Sequence, residues 1–428
     1  MLHDGRSIRV AVVGGSRIPF CRAHSVYRNC TNKDLMVAAL EGVINRFDLK
    51  GQTLGEVSLG AVIKHSSDWS LARECAIESG LSLRTPAVDL QRACGTSLEA
   101  AVLIANKIAL GQIEAGMAGG TDSISDAPVV YPDDYRRVLM EIHRAHSPLD
   151  RIKSILKIRP KHFKPKFPGV TEPRTGLSMG ESCEITAKKW DVQREHQDQL
   201  ALSSHIKAAA AYDAGWYDDL VVPFENAEED NNIRRDTTFE KLSALKPVFD
   251  KSGEGTITAG NSTALTDGAA AVLLASEDWA RQKNLPITAY LTFAKAAAVD
   301  FINDEGLLMA PAYAVSDMLK QANISLQDFD FYEIHEAFAA QTVATLKAWQ
   351  SEDFCRTRLG RNEPMGPIDL SRLNMKGGSI AIGHPFAATG ARIVATMAKL
   401  LNENGSGRGL ISICTAGGMG VTAIMEAA

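Results

Sequence analysis

Residues 88–110 read VDLQRACGTSLEAAVLIANKIAL and place a cysteine where a strand gives way to a helix. The run before it, 87–90, is short and apolar, whereas the apolar residues of 98–110 recur at helical spacing. Cys94 is therefore predicted near a helix N-terminus, where unpaired N–H groups and the helix dipole lower a thiol pKa and favour the thiolate. Gly95 allows a backbone or a substrate to come close. A buried structural cysteine is the competing interpretation.

The composition is that of a globular protein of two or three domains. Of the 428 residues, 45% are hydrophobic and 23% are charged, and the formal net charge of -5 argues against nucleic-acid binding. The 7 cysteines are scattered and show no CxxC spacing, which favours a reducing compartment and predicts neither disulfides nor a metal site. No apolar run is long enough for a bilayer span, and the first residues show no signal core. We expect a cytoplasmic protein, with the mitochondrial matrix as the alternative.

Alternating strand and helix patterns predict an α/β fold that is interrupted by an insert. Residues 8–13 read as a strand that ends at a double glycine, and 31–47 as an amphipathic helix. Such alternation implies parallel strand pairing. The long polar stretches of 129–250 indicate an inserted segment over the core. The core pattern returns at 255–276, where a helix of small residues is expected to lead into an apolar strand.

One part of the insert is strongly basic. Residues 151–166 read RIKSILKIRPKHFKPK, with seven Lys or Arg and no acid. Three interpretations stay open: a solvent-exposed face, a phosphate-binding site, or an interfacial helix whose Ile152, Ile155 and Leu156 contact anionic lipid.

An internal repeat pairs the two ends of the chain. Residues 94–123 and 383–420 each place a reactive side chain at a helix start, continue through a helix and a strand, and include a double glycine. Two similar halves that face each other would bring Cys94 and His384 together. A histidine, with a pKa of about 6.5, is suited to take a thiol proton at neutral pH.

Two further candidates follow predicted strands. Cys414, in ISICTAGGMG, precedes a glycine turn whose N–H groups could face a developing oxyanion. His335 and Glu336, in FYEIHEAFAAQ, form a polar pair that could hold a water or a carbonyl. The alternatives are structural roles: Cys414 as a buried cysteine at a strand end, and His335 with Glu336 as a helix-capping pair.

With these motifs the chain resembles the thiolases, and most closely the thiolase subunits of fatty acid oxidation complexes of the trifunctional type. The resemblance spans the chain through QRACGTSLEAA, MGESCEITA, TAGNSTALTDGAA, HEAF, GGSIAIGHPFAATGAR and CTAGGMG. It implies an α/β fold of two βαβαβαββ halves packed as a layered α/β/α/β/α core. The halves would be 1–128 plus 251–281 and 282–428, with 129–250 as a loop domain over the CoA site.

The resemblance also implies roles for residues. Cys94 would attack the keto carbonyl of a 3-ketoacyl-CoA, His384 would activate Cys94, and Cys414 would act as acid and base. One oxyanion site would combine His384 with a water held by His335. The other would use the N–H groups of Cys94 and Ala416. The positions that match the lining of the CoA or acyl channel are Met179, Thr263 and Phe338.

The implied activity is CoA-dependent cleavage of 3-ketoacyl-CoA in fatty acid β-oxidation, with CoA as co-substrate and neither a permanent cofactor nor a metal. The alternatives are a biosynthetic acetoacetyl-CoA thiolase, another condensing enzyme of the superfamily, or a silent lipid-binding relative. His335, where many thiolases have Asn, favours degradation, and Cys414 argues against other condensing enzymes. The implied partners are a second copy of the chain and a subunit with enoyl-CoA hydratase and 3-hydroxyacyl-CoA dehydrogenase activity.

Overall fold

Strands and helices alternate along most of the chain. The computed structural model describes residues 8–169, 171–303 and 305–428. Its strands are β1 (Val10–Arg17), β2 (Cys21–Arg22), β3 (Glu56–Leu59), β4 (Ala87–Asp89), β5 (Ala115–Asp122), β6 (Thr266–Ser276), β7 (Ala289–Ala298), β8 (Phe331–Ile334), β9 (Arg408–Thr415) and β10 (Met419–Ala427). Its helices are α1 (Asn32–Arg46), α2 (Leu71–Glu78), α3 (Thr96–Ala109), α4 (Asp133–Arg144), α5 (Pro148–Ile155), α6 (Met179–Lys189), α7 (Arg194–Asp213), α8 (Phe239–Ser243), α9 (Glu277–Gln282), α10 (Ala310–Ala322), α11 (Ala339–Gln350), α12 (Glu352–Thr357), α13 (Ser379–Ile382) and α14 (Thr389–Asn404).

The strands of the described residues form one sheet whose two sides mirror each other. The strand order is β4-β3-β5-β6-β1-β7-β10-β9-β8. The short strand β2 lies outside this order and pairs with β6. The seam lies between β1 and β7, which share only two residue pairs. Outward from the seam, β1, β6, β5 and β3 correspond to β7, β10, β9 and β8. This symmetry confirms the internal repeat that the sequence predicted.

The expectation of parallel pairing is correct only toward the outer strands. The pairs β3–β4, β3–β5 and β8–β9 are parallel, whereas the pairs that involve β1, β6, β7 or β10 are antiparallel. The reason is connectivity. A parallel neighbour requires a crossover connection, whereas β9 returns directly into β10 through the turn at 416–418.

Two helices fill the space between the sides of the sheet. Helices α3 and α14 contact each other, and each packs on strands of both halves. Helix α1 covers the outer face of β1 and β6, and α10 covers that of β7 and β10. The order of layers is therefore helix, one side of the sheet, helix, the other side of the sheet, helix, which confirms the predicted fold class.

Two local predictions are wrong. Strand β1 does not end at the double glycine but continues to Arg17, with a bulge between Val12 and Gly14. Glycine is required at position 15 because a Cβ there would lie 2.7 Å from Ala395 Cβ of α14, so helix packing explains this residue. The helix of small residues expected after 255 is absent. The segment before β6 consists of turns and isolated bridges. In one of these turns, Thr258 N donates to Asn261 Oδ1 at 2.8 Å.

The insert contributes helices α4 to α8. Helix α7 packs on α11 and α13, close to the segment that carries His384, whereas α4 and α5 pack chiefly on each other. No helix in the described ranges combines the length and apolar character needed to cross a bilayer. The domain boundaries drawn from the sequence remain a prediction, and residues 1–7 of the first half lie outside the described ranges.

Candidate active site

Cys94 lies in the short connection between β4 and α3. Helix α3 begins two residues later, at Thr96, and Ala93 has a φ of 42°, a left-handed conformation that a non-glycine residue rarely adopts. A Cβ on Gly95 would lie 2.5 Å from Val421 Cγ1 and 3.0 Å from Thr415 Cγ2. Glycine is therefore needed for the Cys94 segment to lie against β9 and β10, as the sequence suggested.

His384 follows α13 and is buried between the halves. Its backbone N–H donates to Thr266 Oγ1 at 2.7 Å, and its Nδ1 lies 2.5 Å from Thr389 Oγ1 at the start of α14. Its Nε2 is buried and has no hydrogen-bond partner among the described residues. The ring is thus fixed at one nitrogen and presents the other to the site.

The three groups from different parts of the chain meet in one place. The sulfur of Cys94 and one ring nitrogen each of His335 and His384 all lie within 4.8 Å of one another. The two imidazole centroids are 4.2 Å apart. The structure therefore brings Cys94 and His384 together as predicted and places His335 in the same cluster. Sulfur and nitrogen donors this close could also accept a metal ion, so the expected absence of a metal stays a prediction.

Cys414 reaches the site from the end of β9. It is buried, and burial raises the pKa of its thiol; a negative charge on Cys94 would raise that pKa further, so the two side chains lie within electrostatic range of each other. The backbone N–H of Ala416 hydrogen-bonds to the Cys94 sulfur. The positive φ angles of this turn fall on Gly417 (79°) and Gly418 (70°) and not on Ala416. Alanine therefore fits the position where many thiolases have glycine.

Burial sets the protonation of the reactive groups. It raises the pKa of the Cys94 thiol to about 12, although hydrogen bonds from Ala416 N–H and its own N–H act in the opposite direction. The sequence-based expectation of a lowered thiol pKa is wrong, because loss of water outweighs these N–H groups. Burial, and secondarily the charge of Arg392, lowers the pKa of His384 to about 3. The resting pair is therefore a neutral thiol beside a neutral imidazole.

The polar pair of the HEAF motif does not act as a pair. His335 faces Cys94, whereas the carboxylate of Glu336 accepts hydrogen bonds from Asn374 Nδ2 (2.5 Å), Ser204 Oγ (2.8 Å) and Ile380 N (3.2 Å). Glu336 thus anchors the strand end to α7 and α13. The hypothesis that both side chains hold a water or a carbonyl is wrong for Glu336.

The predicted channel residues lie around the same site. Thr263 Oγ1 donates to Ser379 O at 2.7 Å, and its N–H donates to Ala337 O at 3.1 Å, beside the HEAF motif. Met179, the first residue of α6, packs against the hydrophobic cluster that contains Phe338 and Cys414. Their contacts with CoA or an acyl chain stay a prediction.

Sequence reasoning missed the residues that support these groups. Ser379 contacts His335, and Thr389 contacts His384. The available signal was a hydroxyl five residues on either side of His384 in the glycine-rich motif. Asp122 accepts hydrogen bonds from Ile63 N (2.7 Å) and Ala387 N (2.8 Å) and so ties the two halves together. No sequence pattern indicates this last contact.

Comparisons with protein families match nearly the whole chain. The family of the thiolase N-terminal domain matches residues 10–278, and that of the thiolase C-terminal domain matches residues 285–427. A 3-ketoacyl-CoA thiolase of Yersinia pestis (strain Pestoides F) is 39% identical over 424 residues, which cover 98% of this chain and 97% of the relative.

Solved structures agree with this match. An acetyl-CoA acetyltransferase of Bacillus anthracis superposes with a TM-score of 0.82 at 29% identity, covering 99% of this chain and 100% of the other. Human mitochondrial 3-ketoacyl-CoA thiolase in complex with CoA superposes with a TM-score of 0.81 at 30% identity, covering 98% of each chain.

Proposed function

The chain belongs to the thiolase family, and we propose that it catalyses CoA-dependent cleavage of 3-ketoacyl-CoA to acetyl-CoA and a shortened acyl-CoA. This is the acyltransferase reaction for which its Yersinia relative is named. Neutral Cys94 and neutral His384 are the groups that begin it. CoA is a co-substrate, in keeping with the CoA complex of the human relative.

The first half-reaction breaks the carbon–carbon bond. As the Cys94 sulfur attacks the keto carbonyl, its proton passes to His384 Nε2. This nitrogen can accept the proton because the ring hydrogen of neutral His384 is on Nδ1 and points toward Thr389. The tetrahedral oxyanion is stabilised by N–H donors, and the bond between C2 and C3 then breaks. Cys414 gives its proton to the departing carbanion, which leaves as acetyl-CoA. The acyl group remains on Cys94 as a thioester.

The second half-reaction transfers the acyl group to CoA. The Cys414 thiolate takes the proton of the incoming CoA thiol, and the CoA sulfur attacks the thioester. The N–H groups of Cys94 and Ala416 face the new oxyanion, which the hydrogen bond from Ala416 N–H to the Cys94 sulfur supports. Cys94 then leaves as a thiolate and recovers its proton from His384, so the cycle balances.

The observation that carries this proposal is the convergence of Cys94, His335 and His384 within 4.8 Å, with Cys414 within electrostatic range of Cys94. The test is CoA-dependent loss of the absorbance of magnesium-complexed 3-ketoacyl-CoA over a series of chain lengths. We expect turnover that is lost in Cys94→Ser, because a serine hydroxyl is far less acidic than a thiol. No turnover at any chain length, or a Cys94→Ser variant within ~10-fold of wild type, would contradict the role of Cys94.

Residues 151–166 are proposed to contact a membrane surface. Leu149, Ile152, Ile155 and Leu156 are exposed along α5 and its end. The structure weakens the charge argument, however, because α4 supplies acids that pair with three of the lysines. Liposome binding that depends on both anionic lipid and the basic side chains would support the contact. Unchanged binding after Lys153, Lys157 and Lys161 are neutralised would contradict it.

The assembly is proposed to be a homodimer that can join a subunit with hydratase and dehydrogenase activity. The expected location is the cytoplasm. Copurification of the tagged chain from its native host tests the larger assembly. A homo-oligomer without that subunit would contradict it.

A further inference from the structure

A chain of buried polar groups lies behind His335. Ser379 Oγ lies 2.8 Å from His335 Nδ1, and Arg392 Nη2 donates to the same Ser379 Oγ at 2.9 Å. Arg392 Nη1 in turn donates to Glu333 Oε2 at 3.3 Å, and both of these side chains are only 1% exposed. The proposed reaction leaves Ser379, Arg392 and Glu333 without a role.

The direction of the hydrogen bonds follows from the donors available. A guanidinium only donates and does not lose its proton in proteins, so Ser379 Oγ must accept from Arg392. No other acceptor for the Ser379 hydroxyl proton is found among the described residues. If Nδ1 carried a hydrogen, that buried hydroxyl proton would have no partner, which is costly. The favoured arrangement therefore has Ser379 donating to His335 Nδ1.

We propose that Arg392, acting through the Ser379 hydroxyl, holds His335 in the tautomer whose hydrogen is on Nε2. This inference rests on the proposed function for its consequence but not for its geometry. His335 Nε2 is buried and has no partner among the described residues, and His335 is the group that lies near Cys94 and His384. Its N–H faces the place where the first oxyanion would form. His335 then donates to that oxygen itself, without a water between them.

The two histidines are thereby given opposite roles. His384, whose Nδ1 faces Thr389, offers a lone pair at Nε2, whereas His335 offers an N–H at Nε2. Burial, His384 and Arg392 all lower the pKa of His335, so it does not become a second cation in the site. Arg392 and Ser379 are positioning residues in this scheme, because neither needs to touch the substrate.

A double-mutant cycle tests the kinetic part. In the otherwise unaltered enzyme, Ser379→Ala should lower kcat by ~10-fold or more, with little change in KM. The loss should approach the ~100-fold loss of kcat that follows removal of a group that itself donates to the oxyanion. In the His335→Ala background the same change should alter kcat by less than ~2-fold, because the group it positions is gone. Ser58→Ala is the matched control, since Ser58 Oγ is also buried without a partner among the described residues and lies on β3, on the opposite side of the sheet from β8, the strand that precedes His335.

Equal losses in both backgrounds, or a Ser379→Ala loss no larger than that of Ser58→Ala, would overturn the proposal. A variant that does not fold leaves a second measurement on the unaltered protein: nitrogen NMR with isotope-labelled histidine, in which the His335 signals are identified by their loss in His335→Ala. An unprotonated Nδ1 and a protonated Nε2 support the proposal, and the reverse tautomer refutes it. This spectrum needs no turnover, so a failed proposed function and a failed inference are distinguishable.

Discussion

Alkylation of Cys94 as a function of pH tests the electrostatics of the site. A thiol with a pKa of about 12 is ionised to about one part in ten thousand at pH 8, whereas a free cysteine with a pKa of about 8.5 is ionised to about one quarter. The part of the reaction with iodoacetamide that runs through the preformed thiolate should therefore rise about tenfold for each pH unit from pH 6 to 9, without a plateau. Cys94 is the one half-buried cysteine of the 7, and the others are buried, so labelling should concentrate there.

Two controls complete this experiment. Mass spectrometry of labelled Cys94→Ser gives the background from the remaining cysteines. His384→Ala should remove the part of the labelling rate that does not depend on pH, because the neutral imidazole accepts the thiol proton as the sulfur attacks. A plateau with a midpoint below pH 8 would show that the thiolate is already formed, and would refute the conclusion that burial outweighs the N–H groups around Cys94. An unchanged rate in His384→Ala would contradict its role as the base.

Three further changes probe the site and its support. Cys414→Ala should reduce carbon–carbon cleavage by ~100-fold or more and spare acyl transfer to an acceptor thiol; equal losses of both rates would count against its acid and base role. Ala93→Val should lower the free energy of unfolding in urea by ~1–3 kcal/mol, because a β-branched side chain fits the φ of 42° poorly, whereas Ala93→Gly should not. Asp230→Asn should cost ~3–5 kcal/mol by the same measurement, since Asp230 accepts two bonds from Arg17, at 2.6 and 2.7 Å, in a pair only 4% and 0% exposed; a loss below ~1 kcal/mol would show that the pair is dispensable.

The agreement between sequence and structure is best where the signal is local. Thr31 caps α1 with a capping box, and α1 runs from Asn32 to Arg46 within the predicted range of 31–47, because helix periodicity and caps depend on neighbours in the chain. The predictions of a strand end at Gly14 and of a helix after 255 were wrong. Packing against α14 and strand pairing outweighed the local propensity of glycine and small residues.

By itself, the sequence determined that two similar α/β halves each carry a reactive side chain at a helix start, and that Cys94, His384, Cys414 and His335 are the candidates. The tertiary structure decided what state those groups are in. The pKa of a thiol depends on how much water its neighbours exclude, and the tautomer of His335 depends on Ser379 and on Arg392 beyond it. Those contacts join residues that are distant in the chain, and a one-dimensional pattern does not record which buried groups face each other.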